Sequence, residues 1–331
     1  MPTPELPDLH DLSTLVTGGA GFIGSHLVDA LVDAGARVRV LDDLSTGRRD
    51  NLAHLEGRIE LVVGDIRDAA VCREACDGVG FVFHQAALGS VPRSIRDPAT
   101  TIAVNVGGTA NVLAAARDAG VRRVVYASSS SVYGDSARLP KREGEEGEAL
   151  SPYAASKVMC EELGRVFWRG LELETVGLRY FNVYGPRQDP AGPYAAVVPL
   201  FFAAAVAGEP ATVHGDGEQS RDFTYVADAV AANLLAAGAP AEAVAGRAFN
   251  VAAGSRTSIN QLARLIGQSA GGAPPARHVE ARPGDVRHSQ ASLTRAREAL
   301  EYEPAWPPPR GLAAAAEWFA AHPPAAAGPA S

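Results

Sequence analysis

Short continuous apolar runs alternate along the first half of the chain with stretches in which apolar residues recur every three or four positions. The runs are STLVTG, RVRVLD, IELVVGD, GFVFHQA, RRVVYAS and ETVGLRYF, and the helical period occupies residues 22–34, 68–76, 98–119 and 153–169. Six strands with intervening crossover segments predict a parallel, doubly wound α/β sheet. A sheet covered on both faces needs strands that are apolar throughout rather than alternating, and these are. Beyond residue 180 the pattern turns irregular, with Gly and Pro in YGPRQDPAGPY, HGDGEQSRD and ARPGD, which predicts a smaller α/β region of loops and short helices toward the C-terminus. No internal repeat is visible, and the closing HPPAAAGPAS has the low complexity of a disordered tail.

With 331 residues, 47% of them hydrophobic, the chain can bury the core of one large domain or two intimate ones. Its formal net charge of -8 argues against general nucleic-acid binding, since a phosphate backbone would be repelled. Cys72, Cys76 and Cys160 make an odd count whose C-x-x-x-C spacing fits neither a zinc knuckle nor a redox pair. They read as reduced thiols of a cytoplasmic protein, with no metal site. The opening MPTPELPDLH holds three prolines and two acids but no basic residue, and is expected to be a loose lead-in rather than a signal peptide. The most apolar run, AAVVPLFFAAAVAG at 195–208, is short and carries a proline, so no membrane span is expected.

LVTGGAGFIGSHL places Gly18, Gly21 and Gly24 directly after the first predicted strand and at the start of the first helix. The same letters fit G-x-G-x-x-G through Gly19. Glycines at this junction permit a tight turn, close approach of backbone to a pyrophosphate and close packing of helix on strand, while the helix N-terminus offers N–H groups to the anion. Asp42 ends the second strand 18 residues past Gly24, where a carboxylate can bond a ribose hydroxyl and would repel a 2′-phosphate. NAD is therefore the expected cofactor, and NADP is disfavoured. Asp65, in VGDI, is a candidate partner for adenine, or else a helix cap. The expected division is a Rossmann-type NAD-binding domain over 12–181 and about 222–252, with a second region over 182–221 and about 253–322. Residues 1–10 and 323–331 are expected to be disordered.

Tyr153 and Lys157 in LSPYAASK stand one helical turn apart and share a helix face. From spacing alone they are an amphipathic surface pair. What changes the reading is their company: TGGAGFIG, SSSSVYG, SPYAASK and LRYFNVYGPRQDP, in this order, resemble the extended short-chain dehydrogenase/reductases and specifically the nucleotide-sugar 4-epimerases, from about Leu12 to Leu300. The resemblance makes the second region nucleotide-sugar-binding and Tyr153 the acid/base. A free phenol has a pKa of about 10, and both the Lys157 ammonium and a nicotinamide cation favour its phenolate. Lys157 would also bond the nicotinamide ribose. Four serines compete in ASSSSVYG; the family's catalytic Ser/Thr stands four before the tyrosine of V-Y-G, which selects Ser129 and leaves Ser130 and Ser131 as pocket-lining candidates.

Further cofactor contacts implied by the resemblance are Phe22, Ile23, Ile66, Gln85, Ala86, Ala87 and Tyr180. Implied substrate contacts are Asn182, Val197, Val198, Arg221, Arg282 and Asp285, with arginines suited to a diphosphate. Ser289, five past Gly284, falls where the family's sugar pocket has either a large tyrosine or a small residue; a small one leaves room for an N-acetyl group. His84 is read as structural, and Asn105 as holding active-site backbone. A homodimer through the helices at 98–119 and 153–169 is implied as well. The resemblance thus predicts an NAD-dependent 4-epimerase of UDP-hexoses. A 4,6-dehydratase would need an acid after the catalytic Ser/Thr, where this chain has Ser130. A uronate 4-epimerase typically has threonine for Asn182 and arginine where Asp189 stands. A non-catalytic NAD-binding sensor or scaffold is opposed by the joint presence of Ser129, Tyr153 and Lys157.

Overall fold

The computed structural model describes residues 12–190, 195–281 and 287–322. The expectations for 1–10 and 323–331, and those for Arg282 and Asp285, lie outside the described residues. By internal contacts the chain forms two units: Met1–Tyr180 with Ala229–Val251 and Ser292–Glu303, and Phe181–Asp228 with Ala252–Ala291 and Pro304–Ser331. The segment Ser292–Glu303, placed with the second region by the sequence pattern, belongs to the first unit because its helix Thr294–Leu300 packs on the strand Arg247–Val251.

The first unit is built on seven strands: β1 (Ser13–Thr17), β2 (Arg37–Asp42), β3 (Ile59–Val63), β4 (Phe81–His84), β5 (Arg123–Ser129), β6 (Glu174–Tyr180) and β7 (Arg247–Val251). They form one parallel sheet in the order β7-β6-β5-β4-β1-β2-β3. Six of them coincide with the apolar runs, and β7 is an addition. Residues such as Leu15, Val82 and Val124 are fully buried because helices cover the sheet. The strand order reverses between β1 and β4, which puts the ends of these two strands, Thr17 and His84, side by side at the topological switch point.

Four helices matter for the site: α1 (Phe22–Asp33), α2 (Ala69–Cys76), α3 (Pro98–Asp118) and α4 (Pro152–Leu171). The start of α3 is set by Asp97, whose side chain caps Thr100 N, and by Pro98 at the first helical position. Within it, Ala103–Gly108 winds as a π-helix, which the apolar period does not signal. The helix has the length and mean hydropathy, 1.2, of a membrane span, but its residues pack against α2, α4 and β4 as cover for the sheet. Ser151 caps α4 by accepting from Ala154 N at 3.1 Å, with Pro152 next, so Tyr153 falls in its first turn.

The second unit has helices Val197–Val206, Ile259–Ser269 and Pro308–Ala321 packed on one another, with Phe202 stacked on Phe319 at 4.7 Å. Three short strand pairs complete it: Thr224–Tyr225 beside Val183–Tyr184, Thr257–Ser258 beside Ser220–Arg221, and Arg277–Val279 beside Thr212–His214.

Candidate active site

The glycine loop sits at the switch point. Gly18 has φ +69, and a Cβ there would lie 2.6 Å from Ala86 N, so only glycine lets the end of β1 lie against the backbone that leaves β4. A Cβ on Gly24 would lie 2.1 Å from Gly18 O; its absence lets α1 close on the loop. Gly21 is the N-cap of α1 and no side chain caps the helix, so the amides of Phe22 and Ile23 have no acceptor within the first turn. A loop of bare glycines facing an uncapped helix N-terminus fits the diphosphate of a dinucleotide. Asp42 accepts from Ala20 N at 2.9 Å and from Leu44 N at 2.8 Å. Burial raises its carboxyl above the usual range and the two amides oppose that. Each oxygen keeps a lone pair for a hydroxyl donor.

Asp65 does not cap α2; that role is taken by Asp68, which accepts from Ala70 N at 2.8 Å. Instead Asp65 grips Arg67, whose hydrogen bond holds the carboxyl below its ordinary value. Ile66 is buried against Gly108 of α3. Ala86 and Ala87 lie half-buried after β4. The side chain of Gln85 is committed within the protein: its Oε1 accepts from the Tyr180 hydroxyl at 3.1 Å and its Nε2 donates to Asn233 at 3.1 Å. Asn233 in turn donates to Tyr180 Oη at 2.7 Å. Among these residues, Asn233 carried no signal in the sequence.

Tyr153 is half-buried, and Lys157 Nζ lies 6.0 Å from its ring centroid. Lys157 is only 4% exposed and donates to Ala127 O at 2.9 Å, which leaves two of its three donors for other acceptors. Ser129 ends β5 two residues beyond Ala127, and its Oγ accepts from Ser131 N at 3.1 Å. Ser130 is half-buried in the following turn, and Ser131 Oγ is buried with no protein partner. Asn105, in the π turn, brackets Leu88 by accepting from its N–H at 2.8 Å and donating to its carbonyl at 3.3 Å. It also donates to Ser156 Oγ at 3.0 Å, which itself donates to Tyr153 O at 2.7 Å. His84 bonds Thr17 and Thr109 from its two ring nitrogens. Burial, and then the Lys157 ammonium, push it down to about 3, so it stays a neutral structural link.

In the second unit, Asn182 is exposed with φ 34 and donates to Asp222 O at 3.3 Å. Arg221 is half-buried and donates to Ser220 O at 3.0 Å, while Ser289 N donates to the same carbonyl at 3.0 Å. Val198 is buried at the start of its helix, and Val197 is half-exposed. Asp222, silent in the sequence, gathers two loops by accepting from Ala253 N and Ala291 N at 3.0 and 3.1 Å.

A parallel sheet with a glycine loop at its switch point, an acidic second-strand end and a Ser, Tyr, Lys set on the fifth strand and its following helix defines a dinucleotide-binding protein of the short-chain dehydrogenase/reductase kind. Residues 14–252 match the model of the NAD dependent epimerase/dehydratase family. The chain belongs to that family, and NAD is its cofactor. It is 42% identical over 312 residues to the UDP-glucose 4-epimerase of Mycolicibacterium smegmatis, covering 93% of this chain and 98% of the relative. Among solved structures, UDP-glucose 4-epimerase from Thermotoga maritima with UDP-glucose superposes with a TM-score of 0.88 at 37% identity, covering 93% of this chain and 98% of the other. UDP-N-acetylglucosamine 4-epimerase from Methanobrevibacter ruminantium, in complex with UDP-N-acetylmuramic acid, gives 0.88 at 37% identity, covering 94% and 99%.

Proposed function

We propose that the protein is a 4-epimerase of UDP-hexoses that interconverts UDP-glucose with UDP-galactose and their N-acetylamino counterparts through a 4-keto intermediate. The observation that carries this reading is the pairing of Tyr153 with a buried Lys157 on one helix turn, held to the strand that ends in Ser129. Tyr153 takes the proton of the C4 hydroxyl and gives it back, with Ser129 Oγ bonding the same oxygen. Lys157, anchored on Ala127 O, keeps donors for the nicotinamide ribose and so holds the ring beside the C4 carbon. NAD supplies the hydride acceptor and donor, so no net oxidation results. Arg221 is assigned to the diphosphate, whose charge its guanidinium matches, and the small Ser289 to the wall near the C2 substituent. Ser130 supplies no acid for dehydration, and Asp189 opposes a uronate by repulsion.

We assign the working form to a homodimer in the cytoplasm. Val158, Met159 and Val166 of α4 are 42%, 46% and 49% exposed, as is Ile95 at 65%, and an apolar face of that kind is suited to a second copy. The three cysteines are free and buried, in keeping with a reducing compartment. The test is to incubate purified protein with UDP-glucose, UDP-galactose and the two N-acetyl analogues, and to separate the epimers. Absence of any C4 epimer would reject the assignment, and a monomeric mass at micromolar concentration would reject the dimer.

A further inference from the structure

We propose that Glu161 and Arg179 are a positioning pair that holds the strand end carrying Ser129 against the helix carrying Tyr153 and Lys157; the inference rests on the epimerase reading above. Tyr153, Lys157 and Glu161 follow one another at four-residue steps along α4 and so share one face. Glu161 is 8% exposed and Arg179 5%. Glu161 Oε1 accepts from Ser128 Oγ at 2.5 Å and from Arg179 Nε at 2.9 Å, and its Oε2 accepts from Arg179 Nη2 at 2.7 Å. Ser128 and Arg179 are register partners on β5 and β6, as Ser129 and Tyr180 are one residue further on. Successive strand residues point to opposite faces, so a Ser128 locked onto α4 fixes the direction in which Ser129 leaves the strand.

The same arginine steadies the turn beyond Ser129. Its Nη1 donates to Tyr133 Oη at 3.0 Å and to Glu146, and Tyr133 donates to Asn250 Oδ1 at 2.7 Å. The turn Ser130–Tyr133 is therefore pinned at its far end by Arg179, the partner of the Glu161 carboxylate that holds Ser128 just before it. Stability is a weak reason for such a pair, because buried ion pairs are often replaceable by apolar residues at no loss. Geometry is a stronger one. A proton shared between Ser129 and Tyr153 requires two elements 24 residues apart to keep a fixed separation, and displacements of about 1 Å can cost about a hundredfold in rate.

Arg179 faces two carboxylates, so Glu161→Gln leaves it paired with Glu146 and the variant should fold. Ser128→Ala is the milder probe, removing one bond and no charge. For Glu161→Gln the expected result is a kcat for epimerisation lowered about ten- to a hundredfold, with KM for the UDP-sugar within about twofold of wild type. Ser128→Ala should fall in the same direction by a smaller factor, and both should keep their bound NAD and stay folded at the assay temperature, with any drop in thermal midpoint larger for Glu161→Gln, which loses a buried charge. A folded, NAD-loaded Glu161→Gln whose kcat stays within about twofold of an active wild type overturns the inference alone. So does a kcat lost only in proportion to the folded fraction. A wild type that epimerises no UDP-sugar overturns the functional reading and this inference with it.

Discussion

Replacing Gly24 by alanine should disable cofactor binding while leaving the rest of the fold in place. The added Cβ would sit 2.1 Å from Gly18 O and 2.8 Å from Gly18 C and Gly19 Cα. An unstrained carbon–oxygen approach is about 3.3 Å, so the loop and the first turn of α1 must part by roughly 1 Å. A donor moved by that much goes from about 2.9 to about 3.9 Å from a phosphate oxygen, beyond hydrogen-bonding range. Each bond lost to a charged acceptor removes about 1.5–3 kcal/mol, which is roughly ten- to a hundredfold in affinity. Overpacking should also lower stability by about 1–3 kcal/mol. Titrating NAD into cofactor-stripped wild type and variant, with thermal unfolding in parallel, measures both. Gly170→Ala in α4 is the control: nothing lies within 4 Å of its Cβ, so it should keep NAD affinity. Its thermal midpoint should hold or rise, since alanine is the better helix former. If Gly24→Ala binds NAD within about threefold of wild type, the loop is not the diphosphate cradle.

Tyr153→Phe should lower epimerisation by at least about a hundredfold with NAD still bound, as removal of a general acid/base demands; near-normal turnover in an epimer assay refutes the assigned role. Asp222 is raised by burial from 3.8 to about 6. Its protonated form is favoured in the fold, so its stabilising contribution is complete below 3.8 and is lost as pH rises to about 6. Urea unfolding of wild type and Asp222→Asn should therefore show the wild-type advantage shrinking by on the order of a few kcal/mol between about pH 4 and about pH 7; a constant difference contradicts it. Ser289→Tyr should suppress turnover of the N-acetylated UDP-sugars and spare UDP-glucose, and equal loss on both substrates would place the gate elsewhere.

Six strands were legible because each is a continuous apolar run, a property of the strand itself. RAFNV was not, since Arg247 and Asn250 break the run; it becomes β7 because β6 offers it an unpaired edge and because Asn250 finds partners in Tyr133, Lys141 and Ser292. The π turn around Asn105 left no trace in the apolar period for a similar reason: its shape answers to Leu88 and Ser156, which are distant in sequence. Local chemistry was read more easily. The Tyr153 and Lys157 pair lies within one helical turn, and the glycine loop within seven residues, Gly18 to Gly24. Asp65 shows the limit of even local reading. Two acids, Asp65 and Asp68, stood near the start of α2, and the cap went to the one whose backbone lies directly before the first helical residue. Glu161 and Arg179 were not seen because they meet only through the packing of α4 on β6, although an arginine inside an otherwise apolar strand run was a signal that such a partner must exist.

The surrounding phenols sharpen the case for Tyr153 as the base. Tyr126 within β5, Tyr133 in the turn after it and Tyr180 at the end of β6 belong to the same unit, and all three are buried. Burial pushes each of them upward, Tyr180 to about 12 even though Asn233 and Gln85 bond its hydroxyl. These phenols stay neutral, and Tyr133 and Tyr180 serve as hydrogen-bonding struts. Tyr126 also fills the space left by two glycines, Gly164 and Gly177, at which any Cβ would collide with its ring. Tyr153 differs on both counts, being half-exposed and one helical turn from an ammonium that is itself buried and anchored to β5. On the proposed mechanism the hidden tyrosines serve rigidity, and the half-exposed Tyr153, beside the anchored Lys157, is the one left within reach of a substrate for proton transfer.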